Sequence, residues 1–205
     1  MVMVEHQTDV KTAALPTRIE HFAYEWAFLS NFYPAEVKLW IDKDGVIFAH
    51  EIPDPASVEI YASVEHGYQA AKDLDAKRRW IFQLANNPRL TAGNAKKLGK
   101  EIEKSGRLRA DWRDVNKGIM LDLLRQKFAY SILKRKLLST FGAYLEEGNW
   151  WHDTFWGVCK GKLEGRVCRH GEHEPVGENN LGLLLAQVRT EVSGVLPVEN
   201  PSPSV

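Results

Sequence analysis

The sequence predicts an α+β fold, a single mainly helical domain with a small antiparallel sheet. Three observations lead there. Two short β-rich runs flank an Asp-Gly turn, helical patterns fill most of the chain after residue 63, and 205 residues suffice to bury the core of one domain. Hydrophobic residues make up 44% and charged residues 26%, as in an ordinary globular chain.

Residues 1–17 mix small, polar and charged types without periodicity up to Pro16 and read as a disordered tail. The domain then spans residues 18–194. Val37-Lys-Leu-Trp-Ile41 and Val46-Ile-Phe48 are separated by Asp42-Lys-Asp-Gly45, and Asp-Gly suits a hairpin turn that needs positive φ. Val58-Glu-Ile-Tyr61 is a candidate third strand. Helices follow over a segment around Glu65, then residues 77–85 before Pro88, 91–104, 115–131 and 181–192. Gly106 falls where a helix C-terminus is expected, and Asn179-Asn180 suits an N-cap. Residues 195–205 contain three prolines and read as a second tail. No internal repeat is present.

Lysine plus arginine and aspartate plus glutamate both number 27, so the formal charge is zero. Proteins that coat duplex nucleic acid are usually basic, because phosphate neutralisation dominates such binding. Neutrality argues against that class but not against an enzyme that visits one modified nucleotide. With only Cys159 and Cys168, no disulfide framework is expected. No apolar run approaches the ~20 residues of a membrane span, and the first residues lack a secretory layout. The chain reads as cytoplasmic, with no membrane and no identifiable protein partner.

Ser63-Val-Glu-His-Gly-Tyr-Gln-Ala-Ala-Lys72 carries most of the chemistry. On a helix, Glu65, Tyr68, Gln69 and Lys72 fall at i, i+3, i+4 and i+7 and share one face. The backbones of Glu65 and Lys72 then stand ~10 Å apart, and the lysine stem leans back toward the helix N-terminus. Both heads can address one ligand the size of a ribose phosphate. The plain structural alternative makes Glu65 a first-turn carboxylate, Tyr68 a packing residue and Lys72 a solvated cation.

Phe28-Leu-Ser-Asn-Phe-Tyr-Pro34 offers Asn31 and Phe32 on an aromatic-walled loop, or else a buried turn. In Arg107-Leu-Arg-Ala-Asp-Trp-Arg113, Asp111 suits a helix cap, while Trp112 beside Arg109 suits a stacking platform next to an anion site. Asn149-Trp-Trp-His-Asp-Thr-Phe-Trp-Gly157 packs three tryptophans into seven residues, most of them expected in the core. Asp153 in such a setting is either paired or chemically poised. Cys159, Cys168, His170 and His173 make a candidate zinc set, but the cysteines lie nine apart rather than in a tight knuckle. That spacing reads as an exposed, variable loop, so neither metal nor cofactor is expected.

These pieces, in this order, resemble the NADAR family, also called YbiA-like proteins. The resemblance rests on Phe28-Leu-Ser-Asn-Phe-Tyr-Pro34, Val64-Glu-His-Gly-Tyr-Gln-Ala-Ala-Lys72, Ala95-Lys-Lys-Leu-Gly99, Arg109-Ala-Asp-Trp112, Lys117-Gly-Ile-Met120, Leu124-Arg-Gln-Lys-Phe128, Asp153-Thr-Phe-Trp-Gly157 and Asn180-Leu-Gly182. It implies a YbiA-like, N-glycosidase-like fold and hydrolysis of a nitrogen–ribose bond. The implied substrates are phosphoribosyl intermediates of riboflavin synthesis, or ADP-ribose on guanine bases of nucleic acid. Glu65 and Lys72 are carried over as pocket residues, with Trp112, Asp153 and Trp156 beside them; Asn31, Phe32, Tyr68, Arg109 and Asn180 complete the candidate binding set. The family's double tyrosine is Gly67-Tyr68 here, a change expected to widen the pocket or alter a purine contact.

The mechanism read from these residues makes Lys72 a nucleophile and Glu65 its acid/base partner, with Asp153 as a second carboxylate. Opening the sugar exposes an aldehyde equivalent, which a neutral amine captures as a Schiff base. An unperturbed lysine has a pKa of ~10.4, so desolvation among tryptophans is expected to depress it. A non-covalent route leaves Lys72 to bind phosphate only. A binding module that reads ADP-ribose without cleaving it is the alternative from a different class.

Overall fold

The computed structural model describes residues 16–41, 47–48 and 58–194. Residues 1–15 of the first tail, the whole of the second, the Asp42–Gly45 turn and most of the 49–62 stretch lie outside the described residues.

β1 (Arg18–Ile19) and a 3-10 turn over Tyr24–Leu29 lead to β2 (Val37–Ile41). Val37 and Leu39 are buried while Lys38 is exposed, the two-residue alternation of a strand with one face on a core. β2 pairs antiparallel with β3 (Ile47–Phe48), as the sequence predicted, and its other edge takes the candidate third strand as β4 (Glu59–Tyr61).

The chain passes directly from β4 into α1 (Val64–Ala70), in which every residue is buried. Ser63 stands at the N-cap, but its hydroxyl bonds His66 Nδ1 at 2.8 Å instead of a backbone amide. The helix predicted over 77–85 breaks into α2 (Ala76–Arg79) and a 3-10 turn over Trp80–Phe82. Only Arg79 and Phe82 point inward there, too few for a continuous apolar stripe. Arg79 instead forks onto Glu59 at 2.8 and 2.9 Å and donates to the Asp73 carbonyl at 3.0 Å, which locks β4 to the exit of α1.

α3 (Ala92–Lys104) is capped by Thr91, whose hydroxyl accepts from Asn94 N at 3.2 Å. Its buried residues Ala95, Gly99 and Ile102 fall on one face against α1. Gly99 permits the close approach, because a Cβ there would stand 1.7 Å from Gln69 Oε1.

α4 (Trp112–Ala129) is the central post of the core, with Met120, Leu123, Leu124 and Phe128 shut off from solvent. Tyr130 turns extended and starts α5 (Ser131–Leu138), absent from the sequence reading, whose Leu133 and Leu137 face inward at i and i+4. α6 (Asn180–Ser193) closes the core with Leu181, Leu185 and Val188. Asn179 precedes it in the left-handed region without capping it. Its side chain instead donates to Tyr144 Oη at 3.1 Å and Leu145 O at 2.8 Å, and accepts from Glu147 N at 3.1 Å.

Between α5 and α6 lie two-residue ladders that the sequence reading did not contain, since two residues carry no period. β5 (Tyr144–Leu145) runs parallel to β1, β6 (Gly148–Asn149) runs parallel to β7 (Val158–Cys159), and β8 (Lys162–Leu163) forms a hairpin with β9 (Arg166–Val167). The architecture is a mostly helical α+β domain with small sheets. Most of residues 162–178 are exposed, as expected of that loop, but Cys159 and Cys168 are both buried. Among the described residues no helix is long and apolar enough to cross a membrane.

Candidate active site

One cavity of ≈ 490 Å³ opens between α1, α3, α4 and the 147–156 loop. That volume falls in the range of small-molecule sites. Eight predicted residues line it: Asn31, Phe32, Glu65, Tyr68, Lys72, Trp112, Asp153 and Trp156. Arg109 and Asn180 do not. Arg109 is buried and forks onto Asp111 at 2.6 and 2.7 Å, while its amide holds the Lys72 carbonyl at 2.9 Å. Asn180 donates to Phe155 O and Glu178 Oε2, both at 2.8 Å. Both residues brace the walls from behind.

Glu65 projects from the first turn of α1 and is held by Gln69 Nε2, which donates to Oε1 at 2.8 Å. Burial raises its pKa; Lys96, the Gln69 bond and Lys72 oppose that rise, and Asp153 adds to it. The Asn31 carbonyl accepts from Glu65 N at 3.1 Å, which ties the aromatic loop to the helix start. Lys127, fully buried, donates to Ser30 O at 2.7 Å and fastens the same loop from the core side; burial brings its pKa down to about 7. Asn31 Oδ1 is buried with no hydrogen-bond partner among the described residues.

Lys72 lies just beyond the last residue of α1, and its side chain is only 6% exposed. The ammonium sits 5.6 Å from the Tyr68 ring centroid and 5.7 Å from that of Trp112, within cation–π range. Its hydrogen-bond partner is Glu103 Oε1, at 2.6 Å. The sequence gives this amine aromatic neighbours and the carboxylates Glu65 and Asp153, but not Glu103, which on sequence looks like one more charge on a solvated helix. Tyr68 itself stacks tilted on Trp112 at 5.0 Å and edge-on to Trp156 at 5.3 Å. Desolvation pushes its phenol up.

The opposite wall is built from loops. Asp153 Oδ1 accepts from Trp156 N at 2.9 Å, and Oδ2 faces Lys96 Nζ at 3.8 Å. Asn149 brackets the same residue, donating to Asp153 O at 2.8 Å and accepting from Asp153 N at 3.0 Å. Asp153 is therefore the paired case of the two foreseen. Trp151 leaves the core and lines the cavity 41% exposed, with Lys96 Nζ 5.6 Å from its ring centroid.

Glu147 also lines this cavity, and sequence reasoning missed it. Its Oε2 is buried with no hydrogen-bond partner among the described residues. Burial lifts its pKa to about 8, with Lys96 opposing and Asp153 and Glu65 reinforcing the rise. A carboxyl in that state is protonated at neutral pH and can donate a proton. The Glu146-Glu147 pair in the sequence held no hint of which carboxylate turns inward.

Over residues 20–193 the chain matches the NADAR domain. It belongs to the NADAR family. A curated relative, the chloroplastic riboflavin biosynthesis protein PYRR of Zea mays, is 30% identical over 201 residues, covering 92% of this chain and 27% of that one. The chain thus spans about a quarter of that relative's length. The N-glycosidase YbiA of Escherichia coli is 32% identical over 130 residues, covering 63% of this chain and 69% of that protein. An NMR structure of Escherichia coli YbiA superposes with a TM-score of 0.57 at 26% identity, covering 86% of both chains.

The departure at Gly67 acquires a different meaning in this NADAR domain. A Cβ at Gly67 would meet Leu123 at 3.1 Å and Val37 at 3.3 Å, so the position faces the core between α4 and β2. The glycine belongs to packing, and it does not widen the cavity.

Proposed function

We propose that this chain hydrolyses an N-glycosidic bond between ribose C1 and a nitrogen. The proposed substrates are ADP-ribose on guanine bases or a phosphoribosyl intermediate of riboflavin synthesis. Membership of the NADAR family and the likeness to proteins named N-glycosidase support the reaction class. The observation that carries the reading is the convergence of one buried amine and four carboxyls, Glu65, Glu103, Glu147 and Asp153, on one aromatic-walled cavity.

Glu147, protonated near neutrality, supplies the acid that opens the sugar ring or protonates the departing nitrogen. Glu103 accepts a proton from the Lys72 ammonium, and the neutral amine adds to C1. The base then departs with its nitrogen protonated, leaving an imine between Lys72 and the sugar. Water activated by Glu65 hydrolyses that imine, releasing free sugar and restoring the amine. Across the cycle one water is consumed and one C–N bond is cleaved. Lys96 and Lys100, both at the cavity, suit the phosphates of either substrate. The riboflavin-biosynthesis name of the Zea mays relative favours the metabolite, whereas the basic face of α3 favours the polyanion.

A second route is favoured by the Lys72–Glu103 ion pair at 2.6 Å. Here Lys72 only binds phosphate, and Glu65 or Asp153 directs water at an oxocarbenium-like carbon. Borohydride added during turnover separates the routes: a stable sugar adduct on Lys72 is expected for the covalent path and absent from the other. Lys72→Arg keeps the charge but forms no imine, and is expected to lose turnover by at least ~10³-fold. Full activity in that variant sinks the Schiff base. Sugar released from neither an ADP-ribosylated guanosine oligonucleotide nor a phosphoribosylaminopyrimidine, alongside ADP-ribose binding, identifies a binding module instead.

A further inference from the structure

We infer that His152, Cys159, Cys168 and His173 form a structural zinc site that fastens the loop wall of the cavity to the 160–176 segment. Their ligand atoms all lie within 4.8 Å of one another. Zn–S bonds of ~2.3 Å and Zn–N bonds of ~2.0–2.1 Å put tetrahedral S···N edges at ~3.6 Å. Cys159 Sγ stands 3.6 Å from His173 Nε2, and Cys168 Sγ stands 3.7 Å from His152 Nδ1. Two thiols and two imidazoles are a donor set that suits zinc, and four protein ligands close the shell, which marks a structural rather than a catalytic ion.

The surroundings orient these ligands. The His173 Nδ1–H donates to Glu174 O at 2.7 Å, which leaves Nε2 as the lone-pair nitrogen facing Cys159. Cys168 Sγ accepts from His170 N at 3.5 Å. His152 has φ 65, a costly backbone for a non-glycine residue, and it turns the ring away from the cavity toward Cys168. Gly161 (φ +67) lets the chain pass where a Cβ would stand 2.3 Å from the His173 carbonyl oxygen.

This segment needs such a fastening. β8 and β9 are two residues each, and most of residues 162–178 are exposed, so little apolar burial holds this segment. The sequence reading chose His170 as the fourth ligand and set zinc aside because the cysteines are nine apart. The fold replaces His170 with His152, brought in from the tryptophan-rich loop. His152 sits between Trp151 and Asp153, so the ion anchors the backbone that presents both to the cavity. Binding displaces the thiol protons to solvent.

The test is the metal content of the full-length chain, freed of any affinity tag, with cobalt(II) exchanged in as a spectroscopic probe. One zinc per chain is expected, and the cobalt form should show the visible bands of a tetrahedral ion with a thiolate charge-transfer band. Cys159→Ser, Cys168→Ser, His152→Ala and His173→Ala should each lower bound zinc at least tenfold, and His170→Ala should retain it. If a variant does not fold, the wild-type metal ratio and cobalt spectrum still decide. Zinc no higher in the wild type than in the double Cys→Ser variant overturns the inference. So does a Cys159–Cys168 disulfide in the purified chain, or loss of zinc from His170→Ala equal to that from His152→Ala.

Discussion

One wall of the cavity is made of helices and the other of loops, and the two are held by different physics. Glu65, Tyr68 and Lys72 ride on or just beyond α1, which is buried along its whole length among α3, α4 and β2. Close packing fixes their positions. Glu147, Trp151 and Asp153 sit on segments whose only regular structure is two-residue ladders. Side-chain bonds from Asn149 and Asn179 position that wall, and with them the proposed zinc. The rigid wall thus carries the amine, and the tethered wall carries the carboxyl that burial lifts to about 8. Substrate choice is the more easily altered on the tethered side.

The largest expected effect breaks the tethered wall chemically. Glu147→Gln should cost ~10²–10⁴ in turnover if Glu147 is the acid. In the wild type, activity should fall as pH rises through about 8, where the carboxyl loses its proton, and the variant should lack that limb. An unchanged pH profile assigns the acid to Glu65. The same group sets a stability trend. Its folded pKa lies above its unfolded value, so the folded state holds more protons between the two. That contribution is complete below the unfolded value and is lost as pH rises through about 8, so Glu147→Gln should raise Tm at pH 9 relative to wild type.

On the rigid wall, Gly99→Ala should destabilise by ~1–3 kcal/mol through overpacking against Gln69, read from denaturant midpoints. Because Gln69 holds Glu65, activity should fall as well. Metal removal sharpens the contrast more gently: hydrogen exchange should quicken across residues 150–176 and stay unchanged in α4 and α6. Equal loosening of both would place the ion in the core's stability. Gly67→Ala is the smallest change expected. The gain in helix propensity of ~1 kcal/mol offsets the tight contacts to Leu123 and Val37, leaving Tm nearly unchanged and the cavity's affinity untouched.

The rigid wall was legible because its residues follow a helical period. Glu65, Tyr68 and Lys72 share a face by arithmetic, and Gly106, with no Cβ to oppose a positive φ, marks the end of α3. Asp153 and Trp112 were reached through the chemistry of the aromatic and basic runs around them, and Trp156 through its NADAR motif, rather than through any period. Arg109 and Asn180 were motif residues too, yet they brace the walls instead of lining them. Glu103 and Glu147 carried no signal at all. A glutamate that accepts from a lysine 31 positions away looks, in sequence, like any solvated charge.

From its sequence alone this chain determined its class, the helices α1, α3, α4 and α6, its antiparallel hairpin and the stripe that bears the amine, because those depend on neighbours a few residues apart. Only the tertiary structure decided which carboxyls turn inward, that Gly67 serves the core, and that His152 rather than His170 meets the cysteines. Burial, proton affinity and metal geometry arise where distant segments converge, and no local pattern encodes that convergence.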